Sequence, residues 1–359
     1  MEFFAADRRG DDFDFRLSIF CRRVYNQGIK SRWRSFLLWR KSSKEEFFME
    51  QLRSLSALLD YAKQITAAKG PKCIAVAKAD DPGLFEAMED ARKAGIARFT
   101  LTGERAKIEA AAKAAGADLA DYNVIECSAS EAEMAIKAVT EVSSGKADIY
   151  MKGQLHTANF LRGMLNKEVG LRRGKNTISH CFFHHIKGYD HLFFVTDAAF
   201  NMYPDVAQKA DIIRNAVQLA HSFGIECPKV ACLAAVEEVN PDMPATLDAA
   251  ALTAMNNRKQ IKGCIVDGPF ALDNAVSEKS AQIKGIDSPV AGKADILLAP
   301  DIEAGNALFK AIVYFSENET AGLIIGAAAP IVLTSRADSP RTKLLSVAAA
   351  VVFADSLKK

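Results

Sequence analysis

Pro330-Ile331-Val332-Leu333-Thr334-Ser335-Arg336-Ala337-Asp338 joins a short apolar run directly to a serine, an arginine and an aspartate. Residues 330–334 read as a buried strand. Ser339-Pro340 then opens a helix over residues 342–353. A strand that passes through a polar loop into a helix is the unit of an open α/β sheet. Ligands of such sheets bind at the carboxyl ends of the strands. A helix N-terminus there offers free N–H groups and the positive end of its dipole to an anion. Arg336 adds a planar guanidinium fork suited to phosphate. As an ordinary surface residue it would instead pair with Asp338.

The same unit recurs back through the chain. Leu52, Leu55, Leu58, Leu59, Ala62 and Ile65 mark one face of a helix that Gly70-Pro71 ends. Strands are expected at residues 73–77, 96–101, 124–127, 147–151, 192–196, 229–235, 264–267 and 296–299. Helices are expected to start at Asp80-Asp81-Pro82-Gly83 and to cover 104–115, 204–223, 245–257, 274–284 and 305–315. Ser130 and Glu133 have capping-box spacing for a further helix. Such alternation predicts an α/β fold with a mostly parallel sheet covered by helices on both faces.

Residues 1–48 differ from the rest. Both tryptophans, Trp33 and Trp39, lie there, and Phe and Arg are dense. Arg8-Arg9 is followed by Asp11, Asp12 and Asp14, which leaves no clean apolar core for a signal peptide and argues against the acid-poor pattern of a mitochondrial presequence. The segment reads as an extension outside the fold, with Met49 as the expected native start. A chain of 359 residues can hold two domains. A net charge of +2 gives no electrostatic argument for nucleic acid or a membrane surface. The seven cysteines are scattered, and Cys73, Cys181, Cys232 and Cys264 sit in apolar runs, which suits a reducing cytoplasm.

Polar clusters fall where the apolar strands stop: Lys152-Gly153, Asp197, Asp267-Gly268-Pro269, Pro300 through Asn306, and Ser335-Arg336. Strand ends along one edge of a sheet would bring these groups to one crevice. Glycines and Asp-Gly-Pro also make turns without any further role. The chain has no Gly-x-Gly-x-x-Gly after a first strand, no P-loop spacing and no Gly-x-Ser-x-Gly elbow. His180, His184, His185 and His191 cluster around an expected strand and turn. Without accompanying carboxylates they read as a solvated or hydrogen-bonded edge rather than a metal site.

Several blocks resemble the phosphate acetyl/butyryl transferase family. They are Met151-Lys152-Gly153-Gln154-Leu155-His156-Thr157, Val169-Gly170-Leu171-Arg172 with Ser179-His180, and Thr196-Asp197-Ala198-Ala199-Phe200-Asn201. Val236-Glu237-Glu238-Val239-Asn240-Pro241, the run from Val266-Asp267-Gly268-Pro269 to Asn274-Ala275, Glu303-Ala304-Gly305-Asn306 and the Ser335-Arg336 stretch follow in the family's order. The short core after Met49 and the 266–275 run look like the butyryltransferase branch.

The resemblance implies a two-domain, isocitrate/isopropylmalate dehydrogenase-like architecture with the active site in the interdomain cleft. The first domain would be residues 49–188 rejoined by 321–359, and the second 189–320. It implies exchange of a short acyl group between coenzyme A and phosphate, with coenzyme A as substrate and no metal or other cofactor. It implies a homodimer or higher homo-oligomer, with no nucleic acid and no membrane partner. By the family's Ser-Arg pair, Arg336 takes the phosphate and Ser335 donates to the oxyanion. Arg172 meets the coenzyme A phosphates, and Lys152 and Thr157 serve the phosphate side. Gly153, Glu303 and Asn306 complete the substrate-binding set. In the acetyltransferase branch an Asp in the helix after the Ser-Arg pair is the base. Here Thr342-Lys343 stands in that neighbourhood, so Asp338 is the candidate and Glu303 the reserve. Two other classes carry expectations of their own. A metal- and NAD(P)-dependent decarboxylating dehydrogenase would use Asp267 and Asp273 as ligands, where the plain readings are a turn Asp-Gly and a helix cap. A catalytically inactive chain would only bind acyl phosphate or coenzyme A.

Overall fold

Ser54 accepts a hydrogen bond from the Ala57 N–H and starts α1 (Leu55–Lys69), whose Leu55, Leu58, Leu59, Ala62 and Ile65 are buried. The structure, a computed structural model, describes residues 52–127, 130–335 and 338–358. The expectations for residues 1–48 and for Arg336 therefore lie outside the described residues. The chain continues as β1 (Lys72–Ala77), α2 (Pro82–Lys93), β2 (Ala97–Gly103), α3 (Arg105–Ala114), β3 (Asn123–Glu126), α4 (Glu131–Ser143) and β4 (Ile149–Lys152). Next come α5 (Thr157–Met164), β5 (Ser179–Ile186), β6 (Leu192–Thr196), α6 (Val206–Ser222), β7 (Lys229–Leu233), α7 (Pro244–Asn257) and β8 (Ile265–Phe270). The last elements are α8 (Leu272–Val276), α9 (Glu278–Ile283), β9 (Ile296–Leu298), α10 (Ile302–Phe315), β10 (Asn318–Ile325), β11 (Ile331–Val332) and α11 (Pro340–Ser356).

Among the described residues one sheet of 11 strands runs in the order β3-β2-β1-β4-β11-β10-β5-β6-β9-β7-β8. The block from β3 to β11 is parallel, and so is the block from β6 to β8. Between them β10 is antiparallel to both neighbours, and β5 is antiparallel to β6. Three reversals make the two parallel blocks run in opposite directions. The expectation that all strand ends share one edge is thus corrected. The short strands of each block end partway along the longer β5–β10 ladder, approaching it from opposite sides.

Four local readings also change. β11 is only Ile331–Val332, because its partner β4 turns away at Lys152. Asp267 lies inside β8, which runs on to Phe270 beside β7. The helix expected at 274–284 breaks at Ser277, whose hydroxyl caps α9 by accepting from the Ser280 N–H. Asp273 sits in the first turn of α8 rather than capping it, and pairs with Lys284 at 3.3 Å. No helix among the described residues is long and apolar enough to cross a membrane.

Residues 343–355 of α11 are all buried, including Asp355, which receives Lys72 at 3.1 Å and Lys69 at 2.7 Å. This helix places the loop that precedes it against the sheet. On α2, Glu89 is buried and accepts from Arg92 Nε at 2.9 Å and from the Tyr122 hydroxyl at 2.6 Å. The Arg92 guanidinium holds the Glu89 carboxyl down at about 2, against an ordinary 4.5, although burial opposes this. A depressed carboxyl adds stability above its unfolded pKa and loses it as pH falls through the folded value. Glu89→Gln should therefore flatten the loss of stability between pH 4.5 and about 2. Urea denaturation at about pH 5 and about pH 3 checks this. An equal acid loss in variant and wild type would contradict it.

Candidate active site

A cavity of about 430 Å³ opens where β4 and β11 end, over the face of β5 and beside α10. Lys152, Thr157, Asn306, Ser335 and Asp338 line it. Each arrives by its own local logic. Lys152 is the last residue of β4 and is 6% exposed, so its ammonium is held among protein groups, one of them the Gly153 carbonyl at 3.2 Å. The Gly153 N–H donates to the Ala77 carbonyl, and a Cβ at Gly153 would stand 2.1 Å from the Lys78 carbonyl oxygen. Only glycine allows this approach, so β4 turns here and sends the chain into α5.

Thr157 is the first residue of α5. The Glu131 carboxylate fixes that helix end by accepting from the His156 N–H at 2.9 Å and from Asn159 Nδ2 at 3.0 Å. Its other oxygen receives Lys78 at 2.9 Å. Burial opposes the charge on Glu131, but these donors outweigh it and hold the carboxyl below its usual range. Asn306 on α10 donates to the Ala198 carbonyl at 3.0 Å. The loop carrying Ala198 and Ala199 is set by buried Asp197, which accepts from the N–H groups of Ala199, Phe200 and Asn201. Burial pushes the Asp197 carboxyl up, against those donors.

The loop after β11 is clamped at both ends. The Ser335 N–H donates to Asp338 Oδ2 at 2.6 Å, and the Asp338 N–H donates to the Ser335 carbonyl at 3.2 Å. Lys343, in the first turn of α11, donates to the Asp338 carbonyl at 2.8 Å. Ser339 caps that helix by accepting from the Thr342 N–H at 3.1 Å. Thus Lys343, at the place where an acetyltransferase-type Asp was sought, braces the loop. A smaller recess beside the cleft brings Gly153, Thr334, Ser335 and Lys343 together.

Two candidates fall elsewhere. Glu303 is on α10, and its carboxylate takes the Tyr203 hydroxyl at 2.5 Å. Tyr203 borders a second cavity of about 740 Å³, which Ala304 and Leu308 line from the other face of α10. Arg172 is exposed, bridged to Ala327, and is not among the residues that line the 430 Å³ cleft. The carboxylates weighed as metal ligands are engaged by protein groups: Asp267 accepts from Ser288 at 2.5 Å, and Asp273 meets Lys284.

Leu155, His156, Phe182, Phe309, Lys310 and Leu333 also line the cleft and were not anticipated as site residues. Lys310 lies over the Phe309 ring at 5.0 Å, a cation at the cleft mouth. The histidine cluster is not a solvated edge as a whole. His180 and His184 are buried, and burial pushes both imidazoles down to about 3. No group of three or more His, Cys, Asp or Glu that could hold a metal ion occurs among the described residues.

Residues 128–351 match the sequence profile of the phosphate acetyl/butaryl transferase family. A phosphate butyryltransferase of Clostridium acetobutylicum is 50% identical over 287 residues, covering 80% of this chain and 95% of the relative. A phosphate acetyltransferase of Thermotoga maritima is 43% identical over 296 residues, covering 82% and 99%. Among solved structures, a branched-chain phosphotransacylase from Enterococcus faecalis is similar with a TM-score of 0.71 and 31% identity, covering 79% of this chain and 99% of that one.

Proposed function

The chain belongs to the phosphate acetyl/butyryl transferase family, and from that membership we infer that it exchanges an acyl group between coenzyme A and inorganic phosphate. The reaction is acyl-CoA plus phosphate giving acyl phosphate plus coenzyme A. The observation that carries the reading to this site is the cleft that Lys152, Thr157, Ser335 and Asp338 share.

In the direction of thioester synthesis, the coenzyme A thiol passes its proton to Asp338. Its sulfur attacks the carbonyl carbon of the acyl phosphate, forming the C–S bond. The Ser335 hydroxyl donates to the resulting oxyanion. The C–O bond to phosphate then breaks, and Arg336, Lys152 and Thr157 hold the leaving dianion. The reverse direction returns the proton from Asp338 to the thiolate. Arg172 lies away from the reacting cleft, which suits contact with coenzyme A phosphates at the far end of a long pantetheine arm. Asn306 orients substrate from α10, while Gly153 lets Lys152 turn into the site. Glu303 is left out of the proton path, because its carboxylate takes the Tyr203 hydroxyl and is not among the groups that line the cleft.

Two domains fit this chemistry. Residues 49–188 with 321–359 supply most of the sheet up to β5, and residues 189–320 supply β6 to β9. The opposed parallel blocks support the dehydrogenase-like, cleft-bearing architecture. A homodimer is supported by α10, where Tyr314 and Phe315 are 70% and 89% exposed, more apolar surface than an isolated helix end needs. The six described cysteines are all free thiols, which fits a reducing cytoplasmic setting.

The test is phosphate-dependent release of coenzyme A from acetyl-, propionyl- and butyryl-CoA, with chelator present and no nicotinamide cofactor. Turnover under those conditions also rejects a metal- and NAD(P)-dependent dehydrogenase. Binding of acyl-CoA with no release in any of the three would leave only a non-catalytic binder. Within this scheme Arg336→Lys keeps the charge but loses the planar fork. Loss of one charged hydrogen bond predicts a fall of about 10- to 100-fold in kcat/KM for acyl phosphate, with little change in the KM for coenzyme A. A surface Arg paired with Asp338 would instead leave the variant within about threefold of wild type.

A further inference from the structure

β5 carries rings at every second position. His180, Phe182 and His184 fall on one face of the sheet, as strand alternation requires. The His180 and Phe182 rings stack at 4.2 Å, and Phe309 from α10 stacks on Phe182 at 3.7 Å with 17° between planes. His184 lies 5.9 Å from Phe309. The neighbouring strand makes room for this. Gly322 pairs with Phe182 in the β10–β5 ladder, and a Cβ at Gly322 would stand 2.7 Å from Phe182 Cδ1. It would also stand 3.3 Å from His180 Nε2. A side chain at that position would lift the rings, so glycine lets them lie down over the next strand.

The stack forms part of the reacting cleft. His180, Phe182 and Phe309 line it together with Leu155, Leu333 and Ser335. Both buried histidines leave Nε2 without a partner, and burial disfavours their charged forms, so they act as neutral rings. The cleft is therefore two-sided. Lys152, Thr157, Asn306 and Asp338 supply polar groups, while the stacked rings and two leucines supply an apolar wall. A methyl group alone would leave most of that wall unused.

We propose that Phe182 and Phe309, with Leu155 and Leu333, form the acyl-chain subsite, and that the stacked ring pair makes butyryl or a branched chain of similar length a better substrate than acetyl. The proposal rests on the acyl-transfer reading above and gives that reaction its substrate class. The alkyl chain lies on the rings while the carbonyl carbon stays with Ser335, so shortening a ring changes the chain-length profile rather than the chemistry.

The experiment measures kcat/KM for phosphorolysis of acetyl-, butyryl- and hexanoyl-CoA by wild type, Phe182→Ala and Phe309→Ala. One methylene in an apolar pocket is worth about 10- to 200-fold. Wild type should therefore favour butyryl- over acetyl-CoA by at least about 10-fold. Each variant should lose at least about 10-fold more on butyryl-CoA than on acetyl-CoA, and gain on hexanoyl-CoA relative to butyryl-CoA. A uniform loss on all three, or a wild type that prefers acetyl-CoA, would overturn the proposal. If the alanine variants do not fold, Phe182→Leu and Phe309→Leu carry the same comparison, read also as competition by the unreactive thioethers S-methyl- and S-butyl-CoA. Absence of phosphorolysis by wild type for every acyl-CoA would instead reject the acyl-transfer reading itself.

Discussion

Asp338→Asn should lower kcat by about 10²- to 10⁴-fold, the contribution typical of a positioned general base, while the KM values for coenzyme A and acyl phosphate change little. The substitution separates the proposed proton acceptor from the observed loop contact. Asp338 Oδ2 accepts the Ser335 N–H at 2.6 Å, so the carboxylate also shapes the loop. Asparagine keeps a carbonyl oxygen that can accept the same bond, and Lys343 still braces the Asp338 backbone carbonyl. The loop should persist while the proton acceptor is lost. Asp338→Ala removes both and should be worse, with raised KM values as well. Steady-state kinetics of the pair, each substrate varied in turn, distinguishes the cases. Near-normal turnover in Asp338→Asn with a crippled Asp338→Ala would make Asp338 a clamp and take it out of the proton path.

Ser335→Ala should cost about 10²- to 10³-fold in kcat, as expected for one oxyanion donor, and leave ground-state binding close to wild type. The reason is positional. Ser335 follows the short strand β11, on the cleft beside Lys152 and Asp338, and its backbone is held by two hydrogen bonds to Asp338. Those bonds use the Ser335 N–H and carbonyl, and both survive in Ser335→Ala. A Ser335→Ala variant whose KM for acyl phosphate rises while kcat holds would show that the hydroxyl binds substrate rather than the transition state.

Most of the parallel strands were legible because they are short apolar runs closed by glycine or a helix cap. β1 and β6 are buried along their whole length, which is what a strand covered on both faces must be. Gly70 and Gly224, with positive φ, end helices where expected, and the Ser130 hydroxyl accepts from the Glu133 N–H as its spacing implied. The polar ends of β4 and β11 led to Lys152, Ser335 and Asp338 for the same reason. What stayed hidden is the reversal at the centre. β10 begins with Asn318-Glu319-Thr320, carries Gly322, and reaches β11 with no helix between them. Neither the apolar run nor the strand–helix alternation announces such a strand. Missing β10 meant assuming one direction for the whole sheet. It also hid the aromatic face of β5, whose rings depend on Gly322 for their space. α5 was missed because it is only eight residues long, and its end is fixed by Glu131 from a distant helix rather than by a cap in its own sequence. Lys310 left no sequence signal, since its place at the cleft follows from the pitch of α10 alone.

The most direct measurement is phosphorus NMR of the full chain incubated with butyryl-CoA and inorganic phosphate, with free thiol titrated in parallel. Chelator is present, and no nicotinamide is added. The expected result is an acyl phosphate resonance that grows one-for-one with released thiol and reverses when excess coenzyme A is added. Thiol release without acyl phosphate would mean that water, not phosphate, takes the acyl group, and would contradict acyl exchange in this cleft.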